Sequence, residues 1–369
     1  RQAAIAQVLT EQAKEIEGLA RVSAMMPLHD RTPERTAIRD RMAAIETEMT
    51  RLGSISFGPG HYALGRGYLT LLDEQNARHH LELAIDHGYS GPGVSYALGM
   101  VLGRLYQREL YLARRIENEE LRTTRIHEIE YELLDPALAH LRSGSDSSVE
   151  GTGYAEALIE FYGGDLAEAL TSTRQAFSEE EWLYEAKRLE GDILLEMGAE
   201  RVLGGDADAA LNLLDDAGNA YALAAEIARS DPSVHEGECG RWTQILEIKR
   251  RRGEQVLEAF DRAVAACDRS LSIDPNRASV HERLSHLYWR WADLVNDRGG
   301  DPEPVLEQSI AAPDRAIEFN PESVPAFFTK RGALVVAGPG KLARGEDPQS
   351  TLEEAIASLE AAIAIDPAA

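Results

Sequence analysis

Histidines are the first residues to test for chemistry. His281-Glu282-Arg283-Leu284-Ser285-His286 has nearly the spacing of a helical zinc site, but two ligands that grip one metal from a helix stand four apart and share a face. Five apart, they lie about 140° from each other around the axis, so this pair is not a ligand set. His235 and Cys239 do stand four apart and could open a metal site, yet no second pair accompanies them. His79-His80 reads as a helix surface. Gly60-His61-Tyr62-Ala63-Leu64-Gly65-Arg66 mimics a phosphate-binding loop in glycine spacing. It has Arg where Lys is required and Gly67 where Ser or Thr should hold magnesium, and no hydrophobic strand precedes it. It reads as a loop entering a helix. No GxSxG elbow and no Cys/His pair with a local signature is present. The plentiful carboxylates are solvated faces, and pairing any two into an acid/base site would be arbitrary. No catalytic residue, metal or cofactor is therefore assigned. In Trp289-Arg290-Trp291 the two indoles fall on opposite sides of a helix. Either one faces outward beside Arg, as interface anchors do, or both are packed.

The composition points away from several function classes. Hydrophobic residues make up 44% of the 369, aromatics only 6%, with Ala and Leu supplying most of the apolar content, a bias toward helices packed through small side chains. The net charge is −25, which repels phosphate backbones and anionic membranes, so neither is an expected partner. Residues 1–55 are balanced in charge, and the acidic excess lies in the rest. Cys239 and Cys267 form no CxxC and no close pair, which fits a reducing, cytoplasmic compartment. The start reads straight into an amphipathic helix and is not a signal peptide, and no apolar run is long enough to span a bilayer. A first residue that is not Met, and a last segment stopping at Asp366-Pro367-Ala368-Ala369 where another helix is expected, read as a piece of a longer protein.

The elements that would position a binding face are helices. Ile5, Leu9, Ile16, Leu19 and Met26, then Ile38, Met42, Ile45, Met49 and Leu52, follow three- and four-residue spacing on either side of a Pro27–Asp30 turn. Thr32-Pro33 opens the second helix and Gly53 ends it. Residues 1–55 thus form a helical hairpin, read as a cap, with a coiled-coil connector as the alternative. Beyond it the informative feature is recurrence. Asp231-Pro232, Asp274-Pro275, Asn320-Pro321 and Asp366-Pro367 are separated by 43, 46 and 46 residues. Small or apolar residues precede three of them at fixed offsets: Ala263, Cys267 and Ser270; Ser309, Pro313 and Ala316; Ala355, Leu359 and Ala362. Small side chains let one helix of a pair approach the other, and the Asx-Pro step ends it.

Leu64-Gly65, Tyr68, Ala77, Leu81 and Ala84 stand at the offsets of a tetratricopeptide repeat, and the chain resembles that family over residues 56–369. The resemblance implies that Gly65 permits close contact, Tyr68 fills the groove and Ala77 sits where the helices cross. Further units begin at Leu98-Gly99, at Gly164-Asp165 with Ala169 and Ala176, at Gly191 with Gly204-Gly205-Asp206, near Leu284-Ser285 with Tyr288, and near Gly332. About seven irregular repeats are expected. The fold class is all-α, a right-handed α-solenoid of helical hairpins. Spacing departs from the family's 34 residues. Tyr106 to Leu134 is a charged excursion expected to extend one helix and add another. Asn296–Pro304 and Gly338–Pro348 read as loops inserted inside pairs.

In this family the first helix of each pair lines the concave face. The matched positions are Tyr62, Arg66 and Leu69, then Tyr96, Met100 and Arg104, then Glu282, His286 and Trp289. Arg and aromatics suit an extended peptide or a partner helix. Chaperone-binding members clamp a carboxylate with Lys and Asn at these offsets, where Tyr62 and Arg66 stand, so that activity is not implied. Met26-Pro27-Leu28-His29-Asp30, Gly58-Pro59-Gly60-His61, Trp182-Leu183-Tyr184-Glu185 and Ala228-Arg229-Ser230-Asp231-Pro232 occur in an order that resembles the C-terminal repeat region of bacterial serine/threonine kinases of eukaryotic type. That resemblance implies an interaction arm, inactive alone, since no kinase motif is present. The reading is a protein- or peptide-binding scaffold with no cofactor and an oligomeric state left open. A ligand-sensing module and an enzyme on a helical toroid are its rivals.

Overall fold

A computed structural model describes residues 2–116, 118–147 and 151–366. Arg1, Glu117 in the charged excursion and Pro367 of the last Asx-Pro step lie outside the described residues. Helices α1 (Gln2–Met25) and α2 (Thr32–Leu52) form the hairpin. Then come α3 (Phe57–Thr70), α4 (Glu74–Asp86), α5 (Pro92–Ala113), α6 (Glu119–Ile129), α7 (Asp135–Gly144), α8 (Thr152–Gly163), α9 (Leu166–Glu179), α10 (Tyr184–Leu203) and α11 (Ala207–Ile227). The remainder are α12 (Pro232–Arg251), α13 (Leu257–Ile273), α14 (Ala278–Asp297), α15 (Glu303–Phe319), α16 (Val324–Ala343) and α17 (Gln349–Ile365). There is no strand among the described residues. The fold is all-α, built of tetratricopeptide-like helical hairpins. No helix among the described residues is long and apolar enough to cross a membrane. Two compact units divide it: Arg1–Gly204 with Asp215–Asp231, and Gly205–Leu214 with Pro232–Ala369.

In the first unit the glycines of α3 explain themselves by packing. A Cβ on Gly65 would lie 2.7 Å from Leu81 Cγ and 3.3 Å from the Ala77 carbonyl, and one on Gly67 would lie 2.8 Å from Met42 Sδ. So α3 is thin on two sides, admitting α4 at Gly65 and α2 at Gly67. The phosphate-loop mimic is therefore no loop: Gly60 to Arg66 lie within a helix whose glycines serve contact. Ala77, Leu81 and Ala84 are fully buried, and each Leu removed from water in this way contributes about 1.5–3 kcal/mol. Leu9, Ala13, Ile16 and Ala20 of α1 face Ile38, Met42, Ile45 and Met49 of α2, and the seam continues onto Ala63 and Leu64 of α3.

The excursion after Tyr106 takes the expected form. Helix α5 runs on to Ala113, α6 is added, and a π-helical segment at Glu130–Leu134 leads into α7. Gly99 of α5 admits α7, where a Cβ would meet Leu141 Cγ at 2.7 Å and Leu141 N at 2.8 Å.

In the second unit three second helices end alike. Asp274, Asn320 and Asp366 have φ of −132°, −142° and −134° with ψ of 90°, 88° and 102°. The following Pro forbids the helical region to the residue before it. Each of these residues still donates its N–H to the carbonyl four back, at Ser270, Ala316 and Ala362, three of the recurrent small positions.

Two expectations are corrected here. Gly338 to Ala343 are helical, so only residues 344–348 form the loop before α17, and 298–302 form the one before α15. Cys239 on α12 and Cys267 on α13, 28 residues apart, are joined as a disulfide with Cα atoms 5.2 Å apart. Antiparallel helices bring distant positions side by side, and the cysteine argument for a reducing compartment falls with this pairing. It also takes Cys239 out of any metal site with His235.

Candidate partner-binding surfaces

Within the first unit, helix α1 lies on residues assigned from sequence to partner binding. Thr10, Glu17, Arg21 and Ala24 fall on one face of α1, at helical spacing. Thr10 Oγ1 meets the Tyr89 hydroxyl at 3.2 Å. Glu17 pairs with Arg66, Nε to Oε1 at 2.5 Å, and Arg66 donates to the Tyr62 hydroxyl at 3.2 Å. Arg21 makes a bidentate pair with Glu185 and stacks over the Trp182 ring, 4.4 Å from its centroid. Ala24 accepts from the Ser230 backbone N–H at 2.8 Å. Arg31 completes the closure, donating to Ser23 Oγ, the Ser230 carbonyl and the Ala20 carbonyl. The hairpin thus reaches both α3 and the residues after α11, more than a cap at one end requires.

The assigned residues fall into two groups. Tyr62, Leu69, Tyr96 and Met100 are buried. Tyr96 and Met100 belong to one apolar cluster with Leu141, Tyr154 and Leu158, because α5 is long enough to be packed by both α7 and α8. Arg66, Arg104, Glu282, His286 and Trp289 are half-buried. Arg104 faces Glu74 at 3.9 Å, and Glu282 accepts from the Asn320 side-chain amide at 3.2 Å. His286 stands edge-on to Trp289 with ring centroids 5.8 Å apart. The two Trp of the Trp-Arg-Trp motif are both half-buried and packed. Trp291 stacks on Phe260 at 4.6 Å, and Trp289 lies where a Cβ on Gly332 would stand.

Where α12 meets α14 in the second unit, polar side chains gather that sequence reasoning did not single out for binding. Glu247 pairs with Arg290, Oε1 to Nε at 3.4 Å, and the Arg290 guanidinium covers Trp289 at 4.5 Å. Glu236 is paired with Arg277. Burial alone would raise the Glu236 pKa, but the charges of Arg277 and Arg283 outweigh it, with hydrogen bonds from Ser279 and Arg277 adding to them, and hold the carboxyl below its usual range. Arg283 Nε is buried and has no hydrogen-bond acceptor among the described residues. The signal for this cluster was the i, i+7 spacing of Arg283 and Arg290, which places both on one face of α14.

A second cluster lies in the first unit, in a cleft of about 310 Å³ lined by Glu46, Met49, Phe57, His61, His80 and His87. His80 is not the helix-surface residue expected from sequence, although His79 is exposed. His80 is half-buried and stacked on Tyr68, with centroids 5.1 Å apart. Its Nδ1 stands 3.0 Å from His61 Nδ1. Burial, with His61 and His79 nearby, pushes the His80 imidazole down to about 4, and burial lowers His61 as well. No three His, Cys, Asp or Glu side chains among the described residues converge as a preformed metal set.

No protein-family model matches the chain, and no curated protein matches it either. Among solved structures it is similar to a monomeric IFIT1 mutant with Gppp-AAAA, at 12% identity and a TM-score of 0.44, covering 89% of this chain and 76% of that one. A human IFIT1 dimer with m7Gppp-AAAA matches at 12% identity and a TM-score of 0.42, over 89% and 77% of the two chains. The APC/C hetero-tetramer Cut9-Hcn1 matches at 12% identity and 0.29, over 89% and 79%. The hairpins described above carry the repeat architecture by themselves.

Proposed function

We propose that the chain is a polypeptide-binding scaffold and that a partner docks on the second unit, where α12 meets α14. The observation that carries this reading is the buried Arg283 Nε–H group, which has no acceptor among the described residues, on the same face of α14 as Arg290, whose guanidinium covers the half-buried Trp289. A buried donor without an acceptor costs about 1–3 kcal/mol, and a partner's carboxylate or backbone carbonyl relieves that cost. Trp beside Arg is the composition of an interface anchor. In the first unit the corresponding Arg66 is already paired with Glu17, which supports placing the partner on the second. The net charge of −25 favours a polypeptide over a phosphate backbone. The finer reading is the interaction arm of a bacterial serine/threonine kinase, and its support is the order of sequence segments named above. A kinase domain encoded upstream of Arg1 is the expected finding. A DNA-binding or membrane segment there would overturn the kinase context.

The binding test is capture of partners from the source lysate by the full chain and by R283A, R290A and W289A variants. Loss of one and the same captured polypeptide in all three, with melting curves unchanged, supports the surface. Equal capture by all three discards it. R66A and R104A serve as comparison, and loss in these alone would return the site to the first unit.

A further inference from the structure

Three helices of the second unit share one register, and the last of the three leaves it uncovered. Fourteen residues before the closing Asx stand Phe260 on α13, Leu306 on α15 and Leu352 on α17. Phe260 is 7% exposed and stacked on Trp291 of α14. Leu306 is 6% exposed, in a cluster with Val336 and Ala337 of α16. Leu352 is 42% exposed. Ile356 and Ile363 carry the exposed stripe along α17, with the half-buried Leu359 between them, and this four-three-four spacing is that of a helix seam. On α16, Val335 and Leu342 are exposed and Phe328 is half-buried, all on one face at seven-residue spacing. A continuous apolar face of this kind marks an association surface.

The face complements a second copy of itself. In the antiparallel α16–α17 pair, Lys341 Nζ donates to Thr351 Oγ1 at 2.7 Å, and a Cβ on Gly338 would stand 3.4 Å from Leu352 Cδ2. Counting along both helices from these contacts sets Val335 level with Ile356, Arg331 with Glu360 and Phe328 with Ile363. A two-fold axis parallel to the helices preserves every level and lays α16 of one copy on α17 of the other, with each contact made twice. Apolar side chains then meet apolar ones, and Arg331 faces Glu360. Both charges are exposed, and neither has a hydrogen-bond or ion-pair partner among the described residues. Antiparallel pairing of α17 with its own copy would instead oppose Glu353 and Glu360, a like-charge contact. We propose that α16 and α17 form a two-fold interface with a second copy of this chain, in which Phe328, Val335 and Leu342 of one copy seat on Ile363, Ile356 and Leu352 of the other.

The test is sedimentation of the full chain across a concentration series. A particle of twice the 40.5 kDa chain mass, with a dissociation constant of about micromolar, is expected. I356E and V335E, both at exposed positions, should sediment as monomers with unchanged helical content and melting. R331E and E360R should each weaken the dimer about tenfold, and R331E/E360R, which restores opposite charges across the axis, should regain most of the loss. A chain that stays at 40.5 kDa up to about 100 μM leaves the stripe to an unlike helix and overturns the proposal. So does a dimer indifferent to I356E, or a double charge swap no better than the single ones. These variants leave Arg283, Trp289 and Arg290 in place, so partner capture at α12 and α14 is read separately.

Discussion

Arg21 on α1 and Glu185 on α10 meet across 164 residues of sequence, Nη1 to Oε1 at 2.7 Å and Nη2 to Oε2 at 3.1 Å. Both side chains are mostly sheltered, and the guanidinium is sandwiched against Trp182. Parallel, charge-assisted bonds of this kind are among the stronger surface contacts. R21A and E185Q are each expected to lower the unfolding free energy, and a double-mutant cycle should give a coupling of about 0.5–3 kcal/mol. Limited proteolysis is the second readout: cleavage in the Pro27–Asp30 turn should accelerate in both variants. Additive effects with unchanged proteolysis would mean that α1 is held by its apolar seam alone.

The helix contacts make a graded prediction for glycine. At Gly144 a Cβ would lie 2.6 Å from the Pro92 carbonyl oxygen and 2.8 Å from Tyr96 Cα. Both are backbone atoms that cannot step aside. G144A should cost about 1–3 kcal/mol as overpacking. At Gly18, in the middle of α1, nothing lies within 4 Å of the added Cβ, and G18A should stabilise by about 0.5–1 kcal/mol through helix propensity. Chemical denaturation of the two variants checks the difference in sign.

Thiol titration of the denatured, unreduced chain should find no free thiol, since Cys239 and Cys267 are paired. Reduction removes a constraint on a loop of 28 residues, which chain-entropy arguments set at about 3–4 kcal/mol. C239S and C267S should each reproduce the effect of reduction, and the double variant should add nothing further.

Acid should expose the Glu236–Arg277 pair. Arg277 and Arg283 hold the Glu236 carboxyl below its ordinary value, so the folded state binds this proton less readily than the unfolded chain. The stabilisation is complete above the unfolded value near 4.5 and is lost as pH falls through the lower folded value. E236Q should therefore be less stable than the parent at pH 7, with the gap closing as pH drops below 4.5. A gap that persists unchanged to pH 3 would assign the loss to packing instead of charge.

The hairpin pattern was legible wherever it depended on near neighbours in sequence. Gly65, Ala77 and Leu81 lie within one repeat, and their offsets state directly which atoms must meet. The pairing of Cys239 with Cys267 and of Arg21 with Glu185 was not legible, because it follows from how hairpins stack and not from local spacing. Tyr96 and Met100 show why projected binding positions go astray. The family's offsets assume a repeat of two helices, whereas α5 is lengthened and flanked by both α7 and α8, so positions open in a regular unit are covered here. His80 was hidden for a related reason: its neighbour His79 is exposed, and only the placement of Tyr68 and His61 on α3 turns His80 inward.

The matched pre-proline bends closing α13, α15 and α17 make the hairpins of the second unit interchangeable at their joints. Deleting residues 275–320 would splice Asp274 directly to Pro321 and restore an Asx-Pro step. Such a chain would be one module shorter, and each remaining module would enter its neighbour through an unchanged kink. Growth or loss by whole units at these points carries little conformational penalty, which gives unequal recombination a ready place to act.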